Sequence, residues 1–287
     1  VTRVLVTGAR GVVGQFLLPR LARAGFVVHA FSRGAVDSNA GVWHRGDLTQ
    51  PGWFRSLARM DMVFHLAPLW LLPPVLHDLE RLGVKRIVAF GSTSRYTKAA
   101  SASPAERSVA QRLAQAEAFL MKEATFAEWT LLRPTLIYGA GRDQNVSDIA
   151  RFILRFGFFP VAGPARGLRQ PVHADDLAVA CLALIDNAAT AGRLLDLGGG
   201  EALTYHEMVR RIFHALNRPV RIVPLPQVFL RTMASAASRM RPFRHIDSAM
   251  IDRMAKDMVV DNGPAFSLFG YEPRAFHPSP EDFGLKS

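Results

Sequence analysis

The sequence predicts an α/β fold, a doubly wound parallel sheet carrying a small C-terminal lobe, on three observations. Short β-rich runs alternate with helical stretches over roughly the first two thirds of the chain, as βα units building a parallel sheet do. The first run, Val4-Leu5-Val6, turns on glycines straight into an amphipathic stretch, which is how such a sheet commonly opens. Beyond Ile137 the alternation loosens into loops with Gly and Pro before helices resume, and this sets a lobe apart from the sheet.

The candidate strands are 3–6, 27–31, 62–66, 86–90, 129–132 and 193–197, each short and rich in β-branched or aromatic residues. Helices are expected between them at 11–24, 71–82, 104–124 and 146–156, and later at 175–186 and 205–216. The helix from Pro104 is the best marked. Ser103 can cap it, Glu106 completes a capping box, and Pro104 suits the first helical position. These elements divide the chain into a nucleotide-binding domain over 1–165, which also receives a strand and helix from 171–198, and a smaller substrate lobe over 199–287.

Composition narrows the classes. Hydrophobic residues make up 49% of the 287 and charged residues 21%, an ordinary globular balance that argues against disorder. No run approaches the roughly 20 apolar residues of a membrane span; the nearest, 62–76, is interrupted by His65, Pro68, Pro73 and Pro74. The first residues lack the charged region and cleavage site of a signal peptide and already read as strand. Cys181 is the one cysteine and lies in an apolar run, which excludes an internal disulfide and fits a reducing compartment. A cytoplasmic protein is expected. The net charge of +11 is spread along the chain, with no arginine stripe interleaved with aromatics, so nucleic acid is not an expected partner.

The strongest motif is Thr7-Gly8-Ala9-Arg10-Gly11-Val12-Val13-Gly14. Gly8 permits the tight turn, Gly11 lets the backbone approach a pyrophosphate, and Gly14 lets the helix sit close to the strands. The pyrophosphate then meets the positive helix end and its free N–H groups. A strand before the glycines and a helix after them form the context of a Rossmann-type dinucleotide site. An acidic residue ending the second strand would hold the ribose hydroxyls of NAD. Here that strand runs into Ser32 and Arg33, with no carboxylate before Asp37. Arg33 and Arg10 can clamp a 2′-phosphate, so NADP(H) is expected in preference to NAD(H).

The Gly-x-x-Gly-x-x-Gly spacing resembles the short-chain dehydrogenase/reductase superfamily, and later segments resemble its extended branch, the NAD-dependent epimerase/dehydratases. Gly46-Asp47-Leu48 resembles the segment whose aspartate meets the adenine, and His65-Leu66-Ala67 the strand end beside the cofactor. Arg133-Pro134-Thr135-Leu136-Ile137-Tyr138-Gly139 resembles the segment flanking the nicotinamide. Arg169-Gln170-Pro171-Val172-His173-Ala174-Asp175-Asp176-Leu177 resembles the substrate-lobe motif, and Phe269-Gly270-Tyr271-Glu272-Pro273 the family's C-terminal ending. The resemblance implies a hydroxyl or carbonyl substrate, nucleotide-sugar-like, whose phosphates Arg169 would bind. It also implies a homodimer through the helix from Pro104.

The family's usual catalytic set is a Ser or Thr, a Tyr and a Lys four residues later. Ser92 or Thr93 would supply the hydroxyl. No Tyr-x-x-x-Lys occurs in the chain, and alignment on Ala116-Glu117 puts Val109 and Leu113 where the pair belongs. Neither can move a proton. Tyr96, near Lys98, and Tyr138 are candidates for a relocated acid, against the plain alternative of ordinary polar groups. The rival to an enzyme is a non-catalytic dinucleotide-binding scaffold or sensor. Its contact surface would be the basic amphipathic segment 227–244, with Phe229, Leu230, Met233 and Met240 among Arg231, Arg239, Arg241 and Arg244, suited to a partner or to peripheral contact with an anionic membrane. The alternative there is a surface helix packed on its own domain. His173 reads as structural, Asp175 and Asp176 as helix caps, and no zinc or calcium spacing is present, so no metal is expected.

Overall fold

The computed structural model describes residues 2–34, 40–230, 232 and 248–285. Its centre is a seven-stranded sheet of β1 (Arg3–Thr7), β2 (Val27–Ser32), β3 (Val42–Arg45), β4 (Met62–His65), β5 (Arg86–Phe90), β6 (Glu128–Pro134) and, later in the chain, β11 (Arg193–Leu197). The spatial order is β11-β6-β5-β4-β1-β2-β3, and every pairing is parallel. The order reverses between β1 and β4, which opens a crevice at their carboxyl ends.

Alternate residues of the buried strands feed two cores, because side chains of a strand point to opposite faces. Val4 and Val6 pack with Leu17 and Leu21 of α1 (Val12–Arg23) and with Leu177 and Cys181 of α6 (Ala174–Ala183). Leu5, Val63 and Ile87 face the other way, toward Leu76 and Leu79 of α2 (Leu76–Arg81) and Leu113 and Leu120 of α4 (Pro104–Glu123). Cys181 is fully buried, and burial pushes its thiol far above the usual range, which makes it a packing residue.

Four short strands follow β6, namely β7 (Ile137–Tyr138), β8 (Phe159–Ala162), β9 (Leu168–Arg169) and β10 (Val172–His173); β12 (Leu203–Thr204) and β13 (Ile222–Leu225) come after β11. They pair in twos outside the main sheet. A third core joins Tyr138, Ile149 and Ile153 of α5 (Val146–Phe156), Met208 and Phe213 of α7 (Tyr205–Ala215), and Phe276 and Phe283. In this core the apolar stripe of α5 faces α7.

All six expected strands are present. The expected helix 71–82 is instead two single 3₁₀ turns, Leu69–Leu71 and Pro73–Val75, followed by α2; Pro73 and Pro74 cannot donate to an α-helical ladder. Strand β3 went unread because its residues are only half-buried or exposed, the position of an edge strand with no periodic apolar signal. There His44 and His29 of β2 stack, with Nε2 and Nδ1 2.9 Å apart.

The expected capping box on α4 does not form. Ser103 makes no side-chain cap, and Glu106 is buried, accepting from Ser101 Oγ at 2.6 Å and pairing with Lys98 and Arg253. Capping of α6 also differs: His173 is the N-cap, its Nδ1 accepting from the Asp175 N–H at 3.0 Å. Asp175 and Asp176 pair instead with Arg274, and Asp175 also with Arg20. Most of the segment 227–244, including Arg231, Met233, Arg239, Met240, Arg241 and Arg244, lies outside the described residues, as does Asp37. Among the described residues no helix is long and apolar enough to cross a membrane, and no three His, Cys, Asp or Glu side chains cluster as metal ligands.

Candidate functional site

A cleft of about 1150 Å³ opens at the carboxyl ends of β1, β2 and β4. Its floor is the glycine turn. Gly8 has φ +68°, and a Cβ there would lie 2.4 Å from the Ala67 nitrogen, so only glycine lets the end of β1 lie against the chain leaving β4. A Cβ on Gly14 would lie 2.1 Å from the Ala9 carbonyl oxygen, so Gly14 is what seats α1 on its own turn. Gly11 caps α1 and donates to the Gly8 carbonyl at 2.8 Å. Val12 opens α1, and Val13 points into the core behind the turn.

Beneath this turn His65 is fully buried, its Nδ1 2.8 Å from Thr7 Oγ1 and its Nε2 3.4 Å from the Pro68 carbonyl. Both contacts are met when Nδ1 accepts from the threonine and Nε2–H points to Pro68. Burial pulls the imidazole pKa down to about 4, so the ring is neutral and ties β1 to β4 as a hydrogen-bonding spacer.

The walls gather the residues expected to hold a cofactor. Arg10, Arg33, Asp47, Leu48, Leu66 and Ala67 all line this cleft with Gly8 and Gly11. Arg10 reaches the end of β2, where its Nη1 would be 2.1 Å from a Cβ on Gly34; only a residue without a side chain leaves room for that guanidinium. Asp47 is half-buried, and its Oδ1 accepts from Thr49 N–H and Oγ1 at 2.9 and 2.8 Å. Those bonds, helped by Arg33, hold its carboxyl below the usual range. Arg142 also lines the cleft, and sequence reasoning missed it. The glycine cradle, a free helix end and three cations of one sign fit a dinucleotide's pyrophosphate and phosphates.

Pro134 ends β6, Thr135 follows it, and neither is among the residues lining the cleft. The Thr135 hydroxyl donates to the Gln170 carbonyl and its N–H to the Leu197 carbonyl, so it stitches β6 to β11 and the lobe. Thr93 is buried and donates through Oγ1 to the Pro134 carbonyl at 3.3 Å. Ser92 is half-buried, and its Oγ accepts from the Ser94 N–H at 3.1 Å, leaving its own proton to give. Tyr96, on the short helix α3 (Ser94–Thr97), is 46% exposed, with the guanidinium groups of Arg95 and Arg133 at 5.2 and 5.4 Å from its ring. Those two arginines converge on the buried Glu117. Arg133 grips it through two hydrogen bonds of 2.9 and 2.7 Å, and Arg95 Nε lies at 2.8 Å.

Val109 and Leu113 lie on α4 and pack into the second core, so that stretch of helix offers aliphatic surface and no proton. Tyr138 is enclosed by the rings of His173 and Phe276, and burial pushes its hydroxyl far up; it is not available as a relocated acid.

Arg169, expected to bind a substrate's phosphates, lies inside the fold. It is 4% exposed, and its guanidinium donates to the carbonyls of Leu168, Lys256 and Arg253 at 2.8, 2.8 and 2.6 Å. Burial lowers its pKa to about 10. Both terminal nitrogens bond to backbone carbonyls and so tie β9 to the segment after residue 252. His173 holds a carboxylate that sequence reasoning did not find, Asp282, at 2.8 Å from Nε2.

Residues 4–70 match the model of the NAD dependent epimerase/dehydratase family. The chain is similar to the mitochondrial NADH dehydrogenase [ubiquinone] 1 alpha subcomplex subunit 9 of Arabidopsis thaliana, 27% identical over 252 residues, covering 80% of this chain and 62% of that protein. It thus spans under two thirds of that relative's length. A 2-alkyl-3-oxoalkanoate reductase of Stenotrophomonas maltophilia is 27% identical over 255 residues, 76% of each chain. Among solved structures, MoeE5 in complex with UDP-glucose and NAD superposes with a TM-score of 0.71 at 22% identity, covering 99% of this chain and 96% of that one. Taken with the strand order and the glycine cradle, these likenesses show a Rossmann-like fold whose residues 4–70 resemble the NAD dependent epimerase/dehydratase family.

Proposed function

We propose that the chain binds NADP(H) in the cleft at β1, β2 and β4 and acts as an NAD(P)-dependent oxidoreductase or epimerase on a nucleotide-sugar-like or other hydroxyl or carbonyl substrate. The observation that carries the cofactor choice is the end of β2. Arg33 stands there where an acidic residue would select NAD, and Arg10 lies against Gly34 beside it. Two guanidinium groups favour a 2′-phosphate over a pair of ribose hydroxyls. Asp47 faces the adenine end, and Leu48, Leu66 and Ala67 supply apolar walls.

When bound, the nicotinamide supplies or accepts the hydride. The chain's own part is to orient the substrate and move a proton. Ser92 has a free hydroxyl proton for the substrate oxygen; Thr93, already spent on Pro134, serves as support. Tyr96 is the proton donor in this reading, exposed beside the guanidinium groups of Arg95 and Arg133. The reductase among the relatives and the NAD- and UDP-glucose-bound neighbour support a catalytic role over a non-catalytic scaffold. A cytoplasmic setting and a homodimer through α4 complete the reading; Phe119 and Met121, exposed on that helix, support the second.

The test is a fluorescence titration of cofactor-stripped protein with NADPH and NADH, followed by NADPH consumption with a panel of carbonyl substrates. NADPH should bind more tightly, Arg33→Glu should reverse the preference, and Tyr96→Phe should stop consumption while NADPH affinity stays the same. Equal affinity for the two cofactors overturns the NADP(H) assignment. Full turnover in Tyr96→Phe removes Tyr96 from the chemistry.

A further inference from the structure

The cleft contains a cation brought from a distant loop to the start of a helix. α1 begins at Gly11 with no side-chain cap and no acidic residue in its first turn, so free N–H groups and the positive end of the helix dipole face the cleft. Arg142 is delivered to that spot from the loop after β7. Its Nη1 lies 3.3 Å from the Arg10 carbonyl. Its Nε and Nη1 both lie 3.3 Å from the side-chain oxygen of Gln15, when the Gln15 amide is turned to accept. Gln15 belongs to the first turn of α1. Among the described residues no salt bridge joins Arg10 or Arg142 to a carboxylate, and Arg33 has Asp47 as its charged neighbour. A third positive group at an uncapped helix start adds to a local positive field that attracts an anion into the cleft.

The loop is built to keep Arg142 there. Gly139, Ala140 and Gly141 have φ of +120°, +57° and +68°, and the Gly141 N–H donates to the Asp282 carbonyl at 2.8 Å. A Cβ on Gly141 would lie 2.6 Å from the Gly284 backbone. Asp282 itself is held by His173 through its side chain, and by Ser279. The C-terminal turn thus fixes a loop whose tip reaches over the glycine turn at the other end of the sequence.

We infer that Arg142, on a loop held by the C-terminal turn, is a cofactor-binding residue, its planar fork gripping the dinucleotide pyrophosphate opposite the N–H groups of α1. The inference rests on the NADP(H) reading of the cleft and adds a residue that the glycine motif does not contain. Two phosphate charges neutralise both the helix end and Arg142, and a guanidinium matches phosphate oxygens in pairs. Arg10 and Arg33 serve the 2′-phosphate, so the two ends of the cofactor are read by different arginines.

The experiment measures binding of NADPH and of adenosine 2′-monophosphate, which lacks the pyrophosphate, to the wild type, Arg142→Gln and Arg33→Gln. Arg142→Gln should weaken NADPH binding by about tenfold or more, as loss of a charge-assisted pair does, and leave adenosine 2′-monophosphate within about twofold of the wild type. Arg33→Gln should weaken both ligands. Arg142→Lys, which keeps the charge without the fork, should recover part of the NADPH affinity. Unchanged NADPH binding in Arg142→Gln overturns the inference and leaves the cofactor reading standing; equal loss for both ligands also overturns it. A wild type that binds neither ligand removes the cofactor reading and the inference together.

Discussion

Mild acid should loosen the fold through His65, and the size of the effect follows from its surroundings. The ring is fully buried between β1 and β4, with Thr7 and Pro68 as its polar neighbours, and its pKa falls from 6.5 to about 4 through burial alone, partly offset by the Pro68 bond. The unfolded chain takes up this proton near pH 6.5, whereas the folded chain refuses it until near pH 4. Stability is therefore complete above pH 6.5 and declines as the pH falls toward 4. That interval, at roughly 1.4 kcal/mol per pH unit, corresponds to about 3 kcal/mol. Urea unfolding of the wild type and of His65→Gln at pH 7, 6, 5 and 4.5 isolates the contribution, because glutamine cannot charge and the carboxylates titrate alike in both proteins. The stability advantage of the wild type should shrink steadily across the series. A constant difference from pH 7 to pH 4.5 would refute the assignment of a buried, neutral imidazole.

Two further variants probe the buried charges. Glu117→Gln strips the hydrogen-bonded counter-charge from Arg133, which is 5% exposed and keeps Asp196 at 3.6 Å, and should cost about 3 kcal/mol in urea unfolding; a loss below about 1 kcal/mol would mean that Asp196 or water takes over the pairing. Arg169→Met leaves three backbone carbonyls without their donor and should cost roughly 3 kcal/mol with NADPH affinity unchanged, whereas a variant of normal stability but impaired substrate binding would restore the phosphate-binding role.

What could be read beforehand was what lies close in sequence. The glycine turn, Arg10, Arg33 and the walls at Asp47 and Leu66 sit at strand ends, where one parallel sheet automatically brings them to one rim. The missing Tyr and Lys could be read for the same reason, since Val109 and Leu113 share one helix face. Arg142 could not be, because the loop that carries it meets Arg10 from 132 residues away, and nothing local marks an arginine for that contact. Asp282, 109 residues from His173, was hidden likewise. Glu106 misled in the opposite sense. Its spacing from Ser103 is right for a capping box, yet Arg253, 147 residues away, claims the carboxylate, a charged partner outweighing a local backbone N–H. Arg169 reads as an exposed phosphate fork until the segment near residue 253 covers it.

A parallel sheet also has two margins along which another chain could be added, and this one closes them differently. At the β11 margin the helix Gly263–Phe269 packs alongside, and Asn187 Nδ2 binds the Leu268 carbonyl at 3.0 Å. At the other margin β3 offers four residues, ends on Arg45, and has His44 drawn inward onto His29. A covered margin and a short, cationic one are both poor templates for strand addition, so crowded copies should meet through side-chain surfaces and not through a shared backbone ladder.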